Sequence, residues 1–176
     1  NNLYAQFIVE RKNLTDRTTA PVSMETSSVS SARLQVNGDS HDGLAGVNQY
    51  SISLMHGSVS LDNPDRISLD QNPLSVPHTE GPFAKLVYST QRLQQLTLNL
   101  QGMFSLSGQF SNKNLTSAEK FSIGGAGTVR AFPVGELIGD AGYAATAELR
   151  YAVPQMKSGD FDVVSTLFYD VGHVTR

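Results

Sequence analysis

Between residues 96 and 110 apolar and polar positions alternate. Leu96, Leu98, Leu100, Gly102, Phe104, Leu106, Gly108 and Phe110 fall on one side, and Thr97, Asn99, Gln101, Met103, Ser105, Ser107 and Gln109 on the other. A period of two predicts a strand with one apolar and one wet face. At about 3.3 Å per residue this span can cross a bilayer core even when tilted, whereas strands of soluble domains are commonly about half as long. In 143–153, Tyr143, Ala145, Ala147, Leu149, Tyr151 and Val153 share one face, and Thr146, Glu148 and Arg150 share the other. Shorter stretches of the same kind are Ala32/Leu34/Val36, Tyr50/Ile52/Leu54 and Leu86/Tyr88. With 3–11 and 163–171 they make a set of seven expected strands. No helical stripe with cap signals competes with this reading.

The expected connections are 12–28, 38–46, 59–82, 91–94, 112–141 and 154–161. They alternate long and short. Antiparallel strands place alternate connections at opposite ends, so the long ones gather at one end and the short ones at the other. Outer-membrane barrels have this asymmetry. Tyr50, Phe83, Phe110, Tyr143 and Tyr151 lie near strand ends, which is compatible with interfacial girdles and equally with plain β-propensity. Pro64, Pro73, Pro77 and Pro82 mark 59–82 as loop.

Composition sharpens the picture. Only 16% of the 176 residues are charged, against about 25% in typical soluble domains. No run of about 18 apolar residues exists, so no transmembrane helix is expected. A lipid-embedded barrel accommodates both facts, because every second strand residue is apolar and the others are small and polar. The net charge is −3 with no basic run, which argues against nucleic acid. Cysteine is absent, excluding a disulfide framework, a thiolate metal site and a cysteine nucleophile. The chain starts at Asn1 without an initiator or signal peptide and stops at Arg176 directly after a strand. It reads as an internal part of a longer protein.

Two segments carry candidate chemistry. Phe121-Ser-Ile-Gly-Gly-Ala-Gly-Thr-Val-Arg130 is a glycine-rich loop with one arginine, and Phe168-Tyr-Asp-Val-Gly172 is a strand with one carboxylate, Asp170. The loop lacks the third glycine and the βαβ setting of a dinucleotide fingerprint and has no Gly-Lys-Ser/Thr, so no nucleotide is expected. From spacing alone two readings stand. Arg130 is a solvated loop arginine and Asp170 a rim residue, or the two are partners.

Val129-Arg130-Ala131-Phe132, preceded by Gly124 and Gly125, resembles the signature of the long sixth loop in the superfamily of polypeptide-transporting outer-membrane barrels. It is particularly similar to the two-partner secretion transporters of the ShlB/FhaC/HecB hemolysin secretion/activation type. Glu80-Gly-Pro-Phe-Ala-Lys-Leu86, Ser117-Ala-Glu-Lys-Phe121, Pro133-Val-Gly-Glu136, Gly139-Asp140 and Glu148-Leu-Arg-Tyr151 also match. Ala131 stands where the superfamily usually has glycine. The resemblance implies an all-β fold: a partial antiparallel transmembrane β-barrel, seven strands of about sixteen, with loop 112–141 entering the lumen. It implies that Arg130 pairs with Asp170 in the Phe168, Asp170, Gly172 wall motif, and that Glu148 and Arg150 point inward beside them. It further implies a protein of the bacterial outer membrane that exports, and in some relatives activates, a secreted exoprotein such as a hemolysin or adhesin. Its partners would be that exoprotein and outer-membrane lipid. No enzyme activity, cofactor or nucleotide is implied. A barrel-assembly insertase of the same superfamily and a soluble β-sandwich module are the alternatives. Ala131 and the Glu80-to-Leu86 match weigh against the first, the loop asymmetry against the second.

Four scattered histidines show no ligand spacing, no Gly-x-Ser-x-Gly elbow occurs, and Asn13-Leu-Thr15 and Asn114-Leu-Thr116 are chance-level glycosylation patterns.

Overall fold

The computed structural model describes residues 1–19, 22–74, 78–154 and 163–175, and the side chains among them other than those of 16–19 and 22–25. In chain order the elements are β1 (Asn2–Thr19), β2 (Val22–His41), β3 (Gly46–Leu61), α1 (Pro64–Gln71), β4 (Gly81–Gln95), β5 (Leu100–Ser111), a 3-10 turn (Ser117–Glu119), β6 (Phe121–Ile123), β7 (Leu137–Gly139), β8 (Ala141–Ala152) and β9 (Val164–Thr175). Seven strands form one sheet in the order β1-β2-β3-β4-β5-β8-β9, every neighbouring pair antiparallel. Among the described residues, strands β6 and β7 pair only with each other. They lie inside the long connection between β5 and β8.

The sheet exposes a row of large apolar side chains and buries polar groups on its opposite face. Phe7, Leu34, Leu54, Leu86 and Phe110 stand opposite one another in an unbroken row across five strands. In that row Phe7 is 71% exposed and Leu54 59%. On the other face Ser53, Thr146 and Glu148 are buried. A soluble sheet would cover such a row with a second layer. Among the described residues nothing covers it. This inversion is what a barrel wall in lipid requires. No helix among the described residues is long and apolar enough to cross a membrane, which says nothing of strands.

The inner face carries the loop. Leu115 joins Val29, Met55, Val59, Leu61 and Phe83 in one apolar cluster. Ile123 and Val129 pack on Ala144 in another, flanked by Phe121 and Val174. Phe83 lies over Gly57, its direct partner across β3 and β4, and on the outer face Tyr88 lies over Gly108 in the same way. An aromatic ring covering a cross-strand glycine pins register.

Four sequence expectations are corrected. The stretch 12–28 is not a long connection: β1 and β2 run on through it as a two-stranded ribbon beyond the end of β3, which reaches only as far as Ser27. Above an apolar belt neither face needs apolar residues, so the alternation that marks a strand fades there. The turn expected at 91–94 lies within β4, and 96–99 turns although it alternates. Thr97 decides this: its hydroxyl accepts from the Leu100 amide at 3.1 Å, while the Leu96 amide donates to the Leu100 carbonyl at 2.9 Å. Residues 59–82 hold helix α1, capped by Asn63, whose side chain accepts from the Asp65 amide at 2.9 Å, with Pro64 at its first position. Pro82 belongs to β4; Pro77 lies outside the described residues. The expected turn 154–161 also falls almost wholly outside them.

Candidate functional site

The site forms where the tip of the β5–β8 connection meets the inner face of β8 and β9. Gly124 and Gly125 take φ of 121° and 85°, conformations open to glycine. A side chain on Gly124 would collide with the Pro133 carbonyl. The chain therefore folds back on itself at this point, and the Gly125 amide donates to the Phe132 carbonyl at 2.8 Å. Thr128 closes the tip, its hydroxyl accepting from the Gly124 amide at 2.8 Å.

Arg130 projects from this tip onto the wall. Its Nε donates to Asp170 Oδ2 and its Nη2 to Asp170 Oδ1, each at 2.9 Å, and its own amide donates to Asp170 Oδ2 at 3.1 Å. Two parallel bonds from one guanidinium fix orientation as well as charge. The remaining edge reaches Glu148 Oε2 at 2.6 Å, and Arg150 Nε donates to the other Glu148 oxygen. The guanidinium carbon lies 3.6 Å from the centre of the Phe168 ring, within cation–π range. Asp170 and Glu148 are 5% and 4% exposed, and Arg130 27%. Arg130 is held more firmly protonated than a free guanidinium, first by its bonds to Asp170 and then by Glu148. Two carboxylates and two guanidiniums thus share one inward site.

Val129 is buried against Ala144. Gly172 gives it room: a Cβ there would lie 2.9 Å from Ile123 Cδ1 and 3.1 Å from Val129 Cγ2. Of the sequence-selected residues, Val129, Arg130, Glu148, Arg150, Phe168, Asp170 and Gly172 come together. Gly124 and Gly125 shape the tip. Ala131 and Phe132 are exposed.

A second anchor carries no site signature in the sequence. Glu119, 2% exposed, receives Lys12 Nζ from β1 at 2.8 Å and Lys85 Nζ from β4 at 2.9 Å. Its carbonyl accepts from Lys85 and from Gln109. Gln109 also donates to the Asp140 carbonyl at 3.0 Å, and the Asp140 carboxylate accepts from the Leu115 amide at 2.8 Å. Burial pushes the Glu119 carboxyl up, but the hydrogen bonds from Lys12 and Lys85 outweigh it and hold the group below the usual carboxylate range. The available signal was Lys85, a lone cation at a wet position of an alternating strand.

Below the tip the inner wall changes character. Gln49, Ser51, Ser89, Gln91, Ser105 and Ser107 line a recess facing Gly127. Among the described residues no group of three His, Asp or Glu is placed to hold a metal ion.

Residues 9–176 match the model of a family described as haemolysin secretion/activation protein ShlB/FhaC/HecB. The chain is also similar to the heme/hemopexin transporter protein HuxB of Haemophilus influenzae, with 24% identity over 161 residues, 92% of this chain and 28% of HuxB. The HuxB proteins of strains Rd and 86-028NP align to the same extent. The chain spans 28% of the length of these curated relatives.

Proposed function

The chain belongs to the haemolysin secretion/activation family ShlB/FhaC/HecB, and from that premise we propose that it is wall and loop of an outer-membrane barrel that secretes a large partner exoprotein. The observation that carries this reading is the fork of Arg130 on Asp170, which holds an inward-folded loop against the wall at its tip. Glu119 holds the same loop at its root. The exposed apolar row supports a lipid-facing outer surface. The neutral Ser/Gln recess beneath the tip suits passage of an extended chain, because its groups exchange hydrogen bonds without strong charge attraction.

In this reading the protein does no covalent chemistry. The loop keeps the pore in a secretion-competent shape, and the site supplies bonds that form and break as a unit. A hemolysin or adhesin is the cargo class. HuxB is named as a heme/hemopexin transporter, so a haem-related exoprotein belongs in the same test. The family match favours secretion over barrel assembly, and the uncovered apolar face disfavours a soluble sandwich.

The test uses the complete protein co-expressed with its exoprotein. Arg130→Ala should insert, migrate heat-modifiably and secrete poorly. Secretion at the unaltered level would overturn the role given to the loop.

A further inference from the structure

The outer face sorts its charges in a way that barrel membership does not require. Its side chains alternate outward at odd positions of β1, β8 and β9 and even positions of β2, β3, β4 and β5. Among the outward positions whose side chains are described there is no aspartate or glutamate, and the charged residues are Arg11 and Arg92. Arg92 is already neutralised: it reaches Asp42 Oδ2 at 2.6 Å and Asn48 Oδ1 at 2.8 Å. Arg11 is exposed and makes no ion pair with a described residue.

The two arginines lie at opposite ends of the apolar belt. Arg11 is level with Ser30 and Ser58, and Arg92 with Asn48. On β3 the two levels are about 33 Å apart along the strand at about 3.3 Å per residue. A tilt of about 40° reduces that to about 25 Å, the height of a barrel's apolar band. Arg11 marks the end that carries the long loop.

The surface around Arg11 is shaped for an amphiphile. A furrow lined by Val9, Arg11, Ser30, Ala32, His56 and Ser58 opens outward there. Glu10 touches this furrow, but its carboxylate is held on the inner face by Lys12 and Arg33. Directly below, a second furrow runs between Phe7, Leu34, Leu54, Leu86 and Phe110, and the two share Ala32 and His56. Small residues at Ala32 and Ala84 between large ones cut the groove. Cationic and hydroxyl groups thus sit above a continuous apolar slot.

We propose that Arg11, with the Ser30 and Ser58 hydroxyls and His56, binds the phosphate of an outer-leaflet lipid headgroup, one acyl chain lying in the slot below. A guanidinium matches phosphate in geometry as well as charge, and a basic residue at the belt's edge meets headgroups rather than hydrocarbon. With no outward-facing carboxylate among the described residues and that of Glu10 held on the inner face, the lipid supplies the missing anion. The inference rests on the barrel reading above.

Full-length protein in detergent is incubated with diphosphorylated lipid A, and the bound lipid is counted by native mass spectrometry. Arg11→Gln should lower retention about tenfold, as loss of one charge-assisted contact implies. Ser58→Asp, which places a carboxylate beside the phosphate, should do the same, and Arg92→Gln should not. Dephosphorylating the probe should reproduce the Arg11→Gln loss with unaltered protein. Equal retention by both furrow variants, or indifference to dephosphorylation, overturns the proposal. Displacement of the lipid by millimolar inorganic phosphate assigns the site to a free anion and overturns it equally. Heat-modifiable migration separates the two levels of claim: its absence from the unaltered protein sinks the barrel reading, whereas a folded barrel with unchanged lipid binding sinks this inference alone.

Discussion

Val129 rests on Gly172. A methyl group added to Gly172 would lie 3.1 Å from Val129 Cγ2 and 2.9 Å from Ile123 Cδ1, so the wall lacks a side chain where the loop needs depth. The same strand presents Asp170 two residues earlier, on the same face. One glycine therefore sets how closely Arg130 approaches its carboxylate.

Gly172→Ala meets only flexible side-chain ends and should reduce secretion partially. Gly172→Val adds bulk they cannot avoid, and it should lift the tip and abolish most secretion. Both variants should still form heat-modifiable barrels. Secretion assays alongside gel migration check this. Full secretion by Gly172→Val would show that the packing is irrelevant.

Arg130→Lys keeps the charge but loses the two-bond fork and the flat stack on Phe168. It should secrete nearly as poorly as Arg130→Ala. Exchanging the partners, Arg130→Asp with Asp170→Arg, should not restore secretion, because Glu148 would then face a carboxylate at the position where it now accepts a bond. Restoration by the exchange would mean that Glu148 is a bystander.

Loop docking should weaken in acid through Glu119. Its carboxyl is held below the usual range in the docked state, so docking is favoured above the free-carboxyl pKa of about 4.3. That contribution is lost as pH falls through the depressed docked-state value. Spin labels on the loop and on β4 of the detergent-solubilised protein should begin to separate only once pH is below the free-carboxyl pKa of about 4.3. Glu119→Gln should remove this acid step, leaving Lys85 without its carboxylate partner and Lys12 with Glu10 alone. An unchanged acid profile in that variant would assign the step elsewhere.

Phe83 is 1% exposed, lies over Gly57 and packs in the cluster that receives Leu115. Phe83→Ala should destabilise the folded barrel by about 3–5 kcal/mol, measured by urea unfolding in micelles. A loss below about 1 kcal/mol would show that Leu115 and its neighbours collapse into the space.

Some of this was written locally in the chain. Alternation marks β2, β3, β4, β5 and β8 and the face their side chains take, because a period of two is a property of the strand itself. Gly124, Gly125, Arg130 and Asp170 were legible as motifs, since backbone freedom and lone charges are visible in one dimension. Local signals also failed. Asn63-Pro64 starts a helix amid prolines that signal loop, and Thr97 overrides the alternation at 96–100 by capturing the turn amides. What only the tertiary structure decided was contact across the sheet. Lys12 meets Glu119 across 107 positions, a meeting that depends on the register of β1 through β5 and on a loop folding inward. Which face turns to lipid was likewise not a property of any strand. Leu54 and Met55 are simply opposite sides until Leu115 of the loop joins the cluster on the Met55 side, and docking of the loop there is what leaves the Leu54 side bare.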